Sequence, residues 1–130
     1  CISNTSKLVN ESIPKIIDIL LSQQVDYVIL TPGWWLCHRS VGLIQNSIEN
    51  VGIATISVTM KPEITYYVQV PRSAHIRFPL GNPIGEANKI DDQKIVVHDL
   101  LRLFEIIQLP GTIFELPYRW KRKIESFQGE

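Results

Sequence analysis

Residues 25–59, VDYVILTPGWWLCHRSVGLIQNSIENVGIATISVT, hold the alternation that decides the fold. Val25 to Thr31 is a short apolar run rich in β-branched residues, stopped by Pro32-Gly33. Such a run suits a strand buried on both faces of a parallel sheet. From His38 the spacing changes: Val41, Ile44, Ile48 and Val51 lie three or four apart, and Gly52 follows. That is a helix period with a helix stop. Ile53 to Thr59 is extended again.

The same reading extends outward. Upstream, Ile13, Ile16, Ile17, Leu20 and Leu21 predict a helix over 12–23, with Asn10 or Ser12 as caps and Pro14 in the first turn. Downstream, Pro62 to Gln69 forms a short helix, although Tyr66, Tyr67 and Val68 weaken it. Ser73 to Phe78 alternates as a third strand, with Ala74, Ile76 and Phe78 on one face. After the turn-rich loop from Leu80 to Lys89, Asp91 or Asp92 caps a long helix. Its expected stripe is Val97, Leu100, Leu101, Phe104 and Ile107. Pro110-Gly111 ends that helix, and Thr112 to Leu116 adds an edge strand.

Alternating helices and strands predict a three-layer α/β domain, Rossmann-like or flavodoxin-like, with a small, mostly parallel sheet. Right-handed crossovers are expected to put helices on both faces. Residues 1–120 read as a single domain and 121–130 as a basic, flexible tail carrying Lys121, Arg122 and Lys123. The chain starts at Cys1 and has one methionine, Met60, so it reads as a partial or processed chain.

Composition narrows the function. Of 130 residues, 13 are basic and 13 acidic, a balance that argues against nucleic acid or an anionic membrane as partner. No apolar run reaches the roughly 20 residues of a membrane span, and the sequence as written carries no signal-peptide pattern. Two cysteines cannot build a disulfide scaffold, and with three histidines they form no zinc pattern. The expectation is a cytoplasmic domain with no metal site that binds a small-molecule substrate.

Chemistry in an open α/β sheet belongs beyond the carboxyl ends of the strands. Two segments fall there, Thr31 to Ser40 and Phe78 to Gly85. Cys37 starts a helix, where free N–H groups, Arg39 and a protonated His38 would favour the thiolate. The alternative is an apolar cysteine on the stripe of Val41, Ile44 and Ile48. His38 and Arg39 are otherwise first-turn surface residues, and Ser40 a cap. Trp34 and Trp35 either wall a ligand site or cover the open end of the sheet. Thr31, Gly81 and Asn82 are candidate substrate contacts, though Gly81 and Asn82 are first of all turn formers. Arg77, placed on a central strand, needs an anionic partner, either a carboxylate ligand or a structural Asp or Glu.

The string from Val25 to Val58, with RSAHIRFPLGNPIGE and LPGTIFELPYRW further on, resembles the glycine/sarcosine/betaine/D-proline reductase B-type selenoprotein family, in a reductase-like branch. The resemblance runs from about Ile2 to Trp120. It implies a loop after the first strand that carries a selenocysteine or cysteine three positions before a second cysteine. Cys37 matches the second cysteine, and Trp34 falls on the redox position. The implied activity is reductive cleavage of a carbon–heteroatom bond in a small amine or amino-acid-type substrate. The implied partners are further reductase subunits with a pyruvoyl group, and a thiol reductant; an oligomer fits this picture.

Tryptophan has no chalcogen, so the printed chain lacks half of the dyad. Either the protein is a degenerate relative that kept its fold and pocket, or residue 34 is natively a selenocysteine encoded by UGA. No other cofactor is expected. A non-catalytic ligand-binding or subunit-assembly domain is the competing reading, and thiol–disulfide exchange through Cys37 a third. Cys1 reads as a boundary residue.

Overall fold

The computed structural model describes residues 5–127. The first helical run comprises α1 (Thr5–Lys7), a π-turn (Leu8–Ser12) and α2 (Ile13–Ser22). It starts earlier than the capping signals imply, and Asn10 and Ser12 lie inside it. Pro14 has no N–H to offer the preceding turn, and the Ile13 N–H reaches back to Leu8 O instead. Then follow β1 (Tyr27–Leu30), α3 (Cys37–Asn50), β2 (Ala54–Thr59), α4 (Pro62–Val68), β3 (Arg72–His75), α5 (Ile90–Ile106) and β4 (Thr112–Glu115).

The four strands form one parallel sheet in the order β1-β2-β3-β4. Helices cover both faces, which makes the domain a three-layer α/β structure of the Rossmann/flavodoxin-like kind. The two faces differ in chemistry. On one, Ile56, Val58, Ala74, Ile76 and Phe78 pack against Val96, Leu100 and Leu103 of α5 and Ile107 just after it. Each such aliphatic side chain contributes about 1.5–3 kcal/mol on burial. The other face is buried but hydroxyl-rich, with Thr55, Ser57, Thr59 and Ser73. There the hydroxyls bond one another, as in Ser57 Oγ to Ser73 Oγ at 3.1 Å and Thr65 Oγ1 to Thr59 Oγ1 at 2.8 Å.

Helices α3 and α4 serve this polar face. The buried residues of α3 are His38, Gly42, Gln45 and Ile48, a stripe rotated from the expected Val41, Ile44, Ile48 and Val51. The polar sheet face is the reason: Gln45 Nε2 donates to Arg72 O at 2.7 Å, and Glu49 Oε1 accepts from Thr55 N at 3.0 Å and Arg72 Nη1 at 2.5 Å.

Because the strand order is consecutive, crossovers of one hand would all lie on one face. Helix α5 lies opposite α3 and α4, so its crossover has the opposite hand to theirs. Uniform right-handedness is therefore not what places helices on both faces. The arrangement also opens the carboxyl edge: the chain leaves β2 toward one face and β3 toward the other.

Residues 121–127 are not a free tail. Ile124 and Phe127 join the core, Phe127 packs at a tilt against Phe114 with centroids 5.3 Å apart, and Lys121, Arg122, Lys123 and Glu125 are exposed. The anchor is Asp99, which is 0% exposed in the middle of the buried stripe of α5. It accepts from the Tyr118 hydroxyl, from Ser126 Oγ at 2.5 Å and from the Phe127 N–H at 3.2 Å. Burial, then the bond to Asp99, pushes the Tyr118 phenol far above its ordinary range. The observed stripe of Val96, Asp99, Leu100 and Leu103 thus differs from the expected one, and Leu101 is exposed.

Candidate functional site

The loop after β1 reaches the carboxyl edge and turns at once into α3. Cys37 N donates to Trp34 O at 3.1 Å, His38 N to Trp35 O at 3.2 Å and Arg39 N to Leu36 O at 3.3 Å. Positions 34 and 37 are therefore the two ends of one tight turn. The same bonds occupy the first N–H groups of α3, which the sequence reading left free to stabilise a thiolate. Cys37 is half-buried and disulfide-bonded, while the chain's other cysteine, Cys1, lies outside the described residues.

His38 is buried, with both ring nitrogens engaged. Nδ1 lies 3.0 Å from the carbonyl oxygens of Trp34 and Trp35 and can only donate to them; Nε2 accepts the Met60 N–H at 3.1 Å. The ring is thereby the neutral Nδ1–H tautomer. Burial pulls its pKa below the usual histidine value, outweighing the two carbonyl contacts that raise it. In place of the charged neighbour expected for Cys37, His38 is a latch between the turn and the end of β2.

Trp34, Trp35 and Leu36 stand 60%, 54% and 68% exposed, and Lys61 Nζ lies 5.6 Å from the Trp35 ring centre. Arg39 and Thr31 are exposed. Gly81 holds a positive φ of 92°, and Asn82 N bonds Pro79 O at 3.1 Å, so these two shape their own loop. Arg77 was expected to be buried but is exposed, because it lies beyond the end of β3; its anionic partner is Glu115, with Nε to Oε1 at 2.6 Å.

Sequence reasoning missed His75 and Glu115. They are register partners at the ends of β3 and β4, with His75 Nδ1 2.5 Å from Glu115 Oε2. The available signal was a polar residue placed just before each strand's stop, in HIRFP and FELP. Burial raises the Glu115 pKa, but the bonds from His75 and Arg77 outweigh it and hold the carboxyl below the ordinary range. Among the described residues no group of three or more His, Cys, Asp or Glu could hold a metal, and no helix is long and apolar enough to cross a membrane. An open cavity of about 520 Å³ lies away from this edge, near the amino ends of β3 and β4, lined by Glu49, Tyr66, Gln69 and Gly111.

Fold and site together define a three-layer α/β domain whose carboxyl edge presents a turn ending in a cysteine. The chain is similar to the D-proline reductase subunit gamma of Acetoanaerobium sticklandii, at 35% identity over 118 residues, which is 91% of this chain and 49% of that protein. It thus spans about half the length of the curated relative it matches. The similarity supports a relationship to the proline/glycine reductase proteins and marks no particular branch within them. No family model matches the chain, and no solved structure matches it.

Proposed function

We propose that this chain is a redox domain of a selenoprotein-B-like reductase, acting on a small amine or amino-acid-type substrate. The observation that carries the reading is the turn from 34 to 37, closed by the 3.1 Å bond from Cys37 N to Trp34 O. An i, i+3 turn keeps its ends within reach of a bond between two chalcogens, as in Cys-X-X-Cys motifs. Position 34 is also open to solvent.

In this reading residue 34 is natively a selenocysteine or cysteine. Its anion displaces the heteroatom from the substrate carbon, and the heteroatom takes up one proton. The Cys37 thiolate, freed when an external thiol reduces the disulfide it holds in this structure, then attacks the chalcogen at 34, releasing the carbon with the bonding pair, and that carbon takes a second proton. The loop is left with a Se–S or S–S bond, two electrons poorer, and an external thiol restores it. Further reductase subunits complete the enzyme.

The exposure of Trp34, Trp35 and Leu36 favours a second reading, in which these side chains dock another subunit and the domain is non-catalytic. One measurement separates the two. In protein from its native host, the tryptic peptide Ile16–Arg39 is expected to carry the mass and isotope pattern of selenium at position 34, or the mass of cysteine. A tryptophan mass there, with a UGG codon, overturns the redox reading and leaves the assembly reading.

A further inference from the structure

The carboxyl edge holds a second cluster, which the turn from 34 to 37 does not use. Glu115 receives His75 on Oε2 and Arg77 on Oε1, at 2.5 and 2.6 Å. With both oxygens engaged the carboxylate plane is fixed, and it fixes the imidazole in turn. Nδ1 carries the proton and Nε2 keeps the lone pair. Nε2 makes no hydrogen bond among the described residues, and it is not one of the sealed, unpartnered atoms of the interior. A cross-strand ion pair needs only Arg77 and Glu115. Adding an imidazole oriented by the carboxylate, with its second nitrogen open, makes the arrangement of an oriented general acid–base.

Its place supports a role in ligand chemistry. The chain diverges after β2 and β3, and this opens the edge between them. His38 of the turn accepts from Met60, the residue after Thr59, and Thr59 is the register partner of His75. The turn and His75 thus border the same two strand ends, about 4.8 Å apart in the sheet direction.

We propose that His75 is the proton-exchanging residue of a site for a small amine or amino acid at this edge, with Glu115 and Arg77 as its positioning residues. The substrate class rests on the reductase reading. When a carbon–nitrogen bond is broken, the nitrogen leaves with the bonding pair and must gain a proton. His75 Nε2 relays it: its lone pair takes up a proton from solvent, and that N–H bond breaks as a new one forms on the departing amine.

Two readouts test this. The first is carbethoxylation by diethyl pyrocarbonate of the chain in its native assembly, mapped by peptide mass. His98, with a 70% exposed side chain, serves as surface reference. His75 is expected to react faster than His98, to slow in Glu115→Gln, and to be protected by D-proline while His98 is not. The second is His75→Gln in the complete reductase. Secondary-amine cleavage is expected to fall on the order of 10²–10⁴-fold, while the loop thiol, once its disulfide has been reduced, exchanges with a small aromatic disulfide at the wild-type rate. Unprotected His75, undiminished cleavage, or a parallel loss of cleavage and thiol exchange each overturns the proposal. Should residue 34 prove to be a native tryptophan, the reductase reading fails by itself and the protection experiment still decides for or against His75.

Discussion

His38 Nε2 accepts the backbone N–H of Met60 at 3.1 Å, joining the start of α3 to the end of β2. The bond requires a neutral ring, and the buried environment holds the His38 pKa below 6.5. In acid the unfolded chain therefore binds a proton at His38 that the folded chain refuses. Stability is fully present above the ordinary histidine value and falls as pH drops through it toward the folded value. His38→Ala is expected to cost about 1–3 kcal/mol at pH 7.5 by leaving Met60 N–H unpaired, and to flatten the stability profile below pH 6.5. Urea unfolding across that range measures both.

Gly42 of α3 lies directly against Val68, the last residue of α4. A Cβ added there would lie 2.5 Å from Val68 Cγ1 and 2.9 Å from Val68 Cβ. Alanine ordinarily gains about 1 kcal/mol over glycine inside a helix. Overpacking against a β-branched side chain costs about 1–3 kcal/mol, so Gly42→Ala is expected to destabilise on balance. Adding Val68→Ala to the same chain should recover part of the loss, which a double-mutant cycle of unfolding free energies reads directly.

Asp99 ties the chain end to α5. Asp99→Ala strands a buried hydroxyl and a backbone N–H, and takes one acceptor from Arg102, which keeps Ser126 Oγ and Phe127 O, at an expected loss of roughly 3–5 kcal/mol. Trypsin should then cut after Lys121, Arg122 or Lys123 faster than in the wild type. In the intact protein the raised Tyr118 pKa means that its phenolate absorbance emerges with unfolding in alkali and not before it.

Trp34, by contrast, is exposed and contributes little to the fold. Trp34→Cys is expected to shift stability by no more than about 0.5 kcal/mol. On the redox reading, the variant, first reduced to release the Cys37 disulfide and then mildly oxidised, forms a bond between residues 34 and 37, visible as a cross-linked peptide. Failure to form that bond counts against the turn as a redox pair.

The α/β class and the parallel strands were legible in the sequence because apolar period is a local property. VDYVILT and IATISVT alternate with helix-spaced segments whatever the rest of the chain does. The helix stripes were less so. In α3 the sheet face it meets carries Thr55, Ser57 and Thr59, so Gln45 and His38 go inward and Val51 outward. In α5 a carboxylate, Asp99, occupies the center of the core face, since Tyr118, Ser126 and Phe127 supply its hydrogen bonds.

For the site, the sequence by itself placed the segment Thr31 to Ser40 at the carboxyl edge of the sheet, and the resemblance paired positions 34 and 37 within it. The tertiary structure decided the state of His38, the exposure of Arg77 and the meeting of His75 with Glu115. The physical reason is distance along the chain. A turn is closed by bonds three residues apart, which local sequence specifies. His75 and Glu115 lie 40 residues apart, and only strand register, set by the crossover through α5, brings their side chains together.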